Sequence, residues 1–145
     1  MLSARPESAK ADPGRGNPRL RRGTPLKAAA FAAARPADPR LVRAKARLDR
    51  LDWWPRPVRI ESVRIVVTPW LFRLRPWRQF DGFATHVVIF LRRADLSDDL
   101  VTHELCHVWQ MQHRPVGMPL SYLRTGYWRS PYERQAREAA RRTAG

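Results

Sequence analysis

The chain has 145 residues and a formal net charge of +15, from 28 Lys and Arg against 13 Asp and Glu. That length holds one domain with a modest core. Its single cysteine, Cys106, excludes an intramolecular disulfide, and no apolar run of the roughly 18 residues needed to cross a membrane is present. The positive balance comes almost wholly from Arg and favours contact with polyanions, although it is spread along the chain and an Arg- and Ala-rich composition also follows from genome base composition.

Residues 1–38 are rich in Pro, Gly, Ala and Arg and poor in large apolar side chains. They bury too little to offset the entropy of ordering, so a disordered basic arm is expected, able to touch nucleic acid non-specifically. Arg21-Arg22 ahead of Leu26 to Ala34 faintly resembles a twin-arginine export signal, but the apolar stretch is short and carries Lys27. A cytoplasmic, monomeric protein is expected. Asp38-Pro39 then opens a helix over Arg40 to Asp52, with Leu41, Ala44, Leu48 and Leu51 on one face. Trp53-Trp54-Pro55-Arg56-Pro57 ends it. Val58 to Val67 alternates and is β-branched, which predicts a strand. A second short strand is expected at Trp70 to Arg75, a turn at Asp81-Gly82 and the strongest strand at Thr85 to Leu91.

Ser97 caps the next helix, Asp98 to Gln112, and Asp98 and Asp99 complement its dipole. This helix carries His103-Glu104-Leu105-Cys106-His107, an HExxH motif. Two His one turn apart lie on one face and can reach a single Zn²⁺, while Glu104 can serve a water there as general base. Leu100, His103, His107 and Gln110 share that face, with Glu104 at its edge. Val101, Leu105, Val108, Trp109 and Gln112 point toward the core. Cys106 reads as a small buried apolar residue. A short helix over Leu120 to Tyr127 follows, and Ser130-Pro131-Tyr132-Glu133 starts a last helix to about Arg142 with Ser at N-cap, Pro at N1 and Glu at N3.

A catalytic zinc needs a third protein ligand. His113 has the spacing of the metzincin motif HExxHxxGxxH, but Gln110 stands where that motif has the Gly that turns the chain back to the metal. HELCHVWQ, a Tyr-rich spacer and PYERQA together resemble small bacterial gluzincin peptidases, the minimal gluzincins, over roughly Phe83 to Ala140. The resemblance implies an α+β, zincin-like domain over residues 39–145. In it a small antiparallel or mixed sheet packs on the HExxH helix and a C-terminal Glu-bearing helix. It also implies that Glu133 joins His103 and His107 as a zinc ligand. Some gluzincins have an Asp holding a zinc His where this chain has Arg137. The competing reading makes Glu133 a capping-box residue alone. Glu138, the fallback ligand, lies about 140° round the helix from it.

The expected activity is therefore zinc-dependent hydrolysis of peptide bonds in a protein or peptide. Glu104 is the base, and Tyr127, then Tyr122, then His113, are candidate oxyanion donors. In related peptidases an edge strand pairs with the extended substrate, a role Thr85 to Leu91 can fill. Two rival classes stand beside this. One is a nucleic-acid-associated basic protein, or a SprT-like protease acting near DNA. The other is a non-catalytic domain held together by zinc.

Overall fold

A computed structural model describes residues 36–145. The expected basic arm, with Arg21-Arg22 and the Ala-rich stretch, lies outside the described residues except for positions 36–38. Helix α1 spans Pro39–Leu48, with Asp38 accepting from the Arg40 backbone N–H at its start. Leu41, Ala44 and Leu48 are buried along one face, and each Leu so buried contributes roughly 1.5–3 kcal/mol. The α-helix stops before the expected Asp52. Arg50 and Leu51 bond back to Arg47 and Leu48, the tighter three-residue closure that ends many helices.

The strands are shorter than the alternation suggests. Strand β1 is only Arg64–Val67. Upstream, Val58, Ile60 and Val63 are buried, but the backbone there has a side chain for a partner. Gln112 accepts from the Arg59 N–H at 3.0 Å and donates to the Arg59 carbonyl at 2.8 Å. A turn at Glu61-Ser62, closed by Val63 N–H to the Ile60 carbonyl, then shifts the inward face by one residue. Gln112 is thus half-exposed and tied to this segment rather than buried in the core. The strand expected at Trp70 to Arg75 is replaced by a 3₁₀ turn, Leu71–Arg73, and a second one, Trp77–Gln79, follows it. Local three-residue bonds, such as Leu71 N–H to the Thr68 carbonyl, take up its backbone.

Gly82 begins strand β2, Gly82–Ala84, instead of closing a turn. Thr85 to Val87 form the actual turn, where Thr85 Oγ1 accepts from the Val88 N–H. The strong apolar run is thereby cut to β3, Val88–Leu91. The mixed sheet has order β1-β3-β2, with β1 parallel and β2 antiparallel to β3. The expectation that Thr85 to Leu91 offers a free edge is corrected: β3 is central, and β2 is the edge strand that packs on the next helix.

That helix, α2, spans Asp98–His113, with Ser97 accepting from the Leu100 N–H. It runs through the middle of the fold, against α1, α4 and β2, and is buried on more than one side. Asp98 and Asp99 reach Arg43 and Arg47 of α1, which pins its start. Helix α3 is Gly117–Thr125 and α4 is Pro131–Thr143. Ser130 caps α4 by accepting from the Tyr132 N–H, and Ala136 and Ala139 bring α4 close to the core. The result is an α+β fold of four helices and one small mixed sheet among the described residues.

Candidate metal centre

Helix geometry brings His103 and His107 of α2 together, as their four-residue spacing dictates. Their Nε2 atoms lie 3.1 Å apart. Close packing of α4 on α2 then brings Glu133 to the same point. Its Oε1 lies 3.0 Å from His107 Nε2 and its Oε2 lies 3.5 Å from His103 Nε2. One ligand atom from each residue lies within 4.8 Å of the others, and this is the grouping of metal-ligating side chains found among the described residues. Two imidazole nitrogens and one carboxylate oxygen could hold a metal ion, and that donor set suits a divalent cation of borderline softness.

Glu133 does not serve as a capping-box side chain. Its carboxylate, 1 % exposed, faces the His pair, and Ser130 alone caps the helix. Tyr122 donates its hydroxyl to Glu133 Oε1 at 3.3 Å and stacks on Tyr127 at 5.6 Å between ring centroids. Burial by itself would push the Glu133 carboxyl up. Hydrogen bonds from His103 and His107, with Tyr127 adding to them, hold it well below the usual carboxylate range. Burial opposes charge on His107, but the Glu133 carboxylate, with Glu104 and Gln110 assisting, raises its pKa above the ordinary value.

Glu104 stands outside the ligand triad, buried beside it. Burial raises its pKa, Glu133 adds to that, and His107 and His103 pull the other way. Edge strand β2 makes room for it. A Cβ at Gly82 would lie 2.7 Å from Glu104 Oε1, closer than side chains tolerate. Burial also keeps both Tyr122 and Tyr127 phenols protonated well beyond their ordinary range.

His113 is not brought to the cluster. Its Nδ1 meets the Trp109 carbonyl at 3.0 Å and its ring stacks on Trp54, because α2 continues through Gln110 and rotates His113 away from the His pair. It is therefore neither the third ligand nor an oxyanion donor. Glu138 is tied to Arg141 and Arg142 on the outer side of α4, which set its carboxyl down to about 2. Cys106 is buried and its thiol is pushed up to about 12 by burial, as an inert core residue should be. Arg137 Nη2 lies 3.7 Å from Glu133 Oε2 and its guanidinium rests over the Trp128 ring. Gln110, which the sequence places on the His face and at the metzincin glycine position but gives no role at the centre, touches His107 Nδ1 through its Oε1 at 2.8 Å. No family model, curated protein or solved structure matches this chain.

Proposed function

We propose that the chain is a zinc-dependent metallopeptidase of the gluzincin kind, hydrolysing peptide bonds. The observation that carries this reading is the convergence of Glu133 on both motif His, with Glu104 left outside the ligand set. Ligand atoms about 2.0–2.1 Å from a tetrahedral zinc would stand about 3.3 Å apart. The separations of 3.0, 3.1 and 3.5 Å bracket that value. His103, His107 and Glu133 would hold the ion. When bound, it supplies Lewis acidity, lowering the pKa of a water toward about 7 and polarising the scissile carbonyl.

Glu104 accepts the proton of the attacking water and returns it to the leaving amine. Its burial suits that task, because a carboxyl whose pKa is raised is a stronger base toward the water. Tyr122 is engaged with Glu133 and orients it. Tyr127, which also bonds to that carboxylate, would turn its hydroxyl to the developing oxyanion. The substrate runs extended along the outer edge of β2 and adds a strand to the sheet.

Glu104→Gln tests the base directly. The variant is expected to retain zinc and to lose about 10²–10⁴-fold of peptide turnover. Loss of zinc together with activity would remove Glu104 from the role of base. Zinc binding with no turnover by the unmodified chain on any protein or peptide would favour the rival domain in which zinc only joins α2 to α4.

A further inference from the structure

Gln110 lies one turn beyond His107 on α2 and is fully buried, with no part of it exposed. A buried amide is costly unless each of its groups finds a partner. Here each does. Nε2 donates to the Tyr132 carbonyl at 2.9 Å and to Gln135 Oε1 at 2.9 Å, both on α4, while Oε1 meets His107 Nδ1 at 2.8 Å. The backbone carbonyl of Tyr132 can only accept, so the amide nitrogen has to face α4. That turns the amide oxygen to His107. An oxygen can only accept, so His107 Nδ1 must carry a hydrogen. Nε2 is then the nitrogen that faces His103 and Glu133, and the one whose lone pair becomes free for a metal once its proton leaves.

We infer that Gln110 is a positioning residue for the centre: it fixes which nitrogen of His107 faces the metal, and in which plane, before any metal arrives. The same side chain clamps α4, and so sets Glu133 and His107 in register with one another. The inference rests on the metal-site reading for its use and deepens it. A metal-binding His commonly leans on a carboxylate or carbonyl. In this chain a neutral amide takes that place and adds no charge, while Arg137, 3.7 Å from Glu133, stands where some gluzincins have an acidic partner.

The test follows the His107 Nδ1–H by NMR in ¹⁵N-labelled protein, assigned by its loss in His107→Ala. In the metal-free unmodified chain this hydrogen is expected to exchange slowly, and to persist when Zn²⁺ is added and Nε2 loses its proton. Gln110→Leu is expected to lose the protected signal and to weaken Zn²⁺ binding about 10–100-fold in competition with a chromophoric chelator. Gln135→Leu removes a contact on the α4 side alone, and is expected to keep the signal. A signal that survives in Gln110→Leu, an unchanged Zn²⁺ affinity there, or equal loss in Gln135→Leu would overturn the inference. If Gln110→Leu does not fold, the unmodified chain decides: an Nδ1 without a proton, or Zn²⁺ taken on Nδ1, overturns it. Failure of the metal-site reading looks different, because the unmodified chain would then take up no Zn²⁺ whatever the Nδ1–H signal shows.

Discussion

Without a metal, the lone pairs of His103, His107 and Glu133 crowd together at 3.0–3.5 Å, and protons must hold them. The shifts at two of these residues say where the protons go. Glu133 is depressed below its ordinary 4.5, so its contribution to stability is present above that value and is lost as pH falls through the folded value. His107 is raised above its ordinary 6.5, so its contribution is fully present below 6.5 and is lost as pH rises through the folded value. The pair therefore supports the metal-free fold most between 4.5 and 6.5. Urea unfolding of the unmodified chain and of Glu133→Gln across pH checks this. The stability difference is predicted to peak in that window and to shrink on both sides. Glu104, whose raised value works in the opposite sense, is common to both chains and largely cancels. A difference independent of pH would contradict the assignment.

Among the elements, α2 and β2 set the surroundings of Glu104 beside the His pair. The HExxH pairing is local, one turn of one helix, and so it was legible from spacing alone. The strand reading was less complete because strand length depends on partners far away in sequence. Val58 and Ile60 are buried as alternation predicts, yet their segment is tied to Gln112 on α2 rather than to a neighbouring strand. Likewise the run from Thr85 has the composition of one strand, while Thr85 engages its hydroxyl in the turn that doubles the chain back onto β2. The edge beside the helix thus belongs to Gly82–Ala84, a segment marked in the sequence only by the Asp81-Gly82 pair. Gly82 faces Glu104 so closely that the observed position of this carboxylate leaves no room for a Cβ there. In Gly82→Ala the added methyl meets a side chain and not backbone, so Glu104 must swing aside while the fold stays intact. Peptide turnover is predicted to fall about 10²-fold, the scale of a misplaced catalytic group, with zinc content unchanged. Turnover equal to that of the unmodified chain would show that Glu104 needs no such space.

At the scale of the whole molecule, the His103, His107 and Glu133 grouping exists only when α4 docks on α2, since two of its members come from one helix and the third from the other. Local sequence could show that Glu133 lies at N3 of a well-capped helix. It could not show whether the carboxylate turns back to the cap or across to the His pair, because that choice is made by the packing of Ala136 and Ala139 against the core. Gln110 was opaque for the same reason, as two of its three partners lie on α4. The strong positive charge remains the whole-molecule feature that the centre does not use, and no helix among the described residues is long and apolar enough to cross a membrane. The most direct test of the account is the zinc content of purified protein free of any His-tag, with Glu133→Ala prepared alongside. About one zinc per chain, lost or bound far more weakly in Glu133→Ala, is the predicted result for a three-ligand centre. Zinc held equally by both proteins would reduce Glu133 to a structural residue. No zinc in the unmodified chain, even after its addition, would contradict the metallopeptidase reading outright.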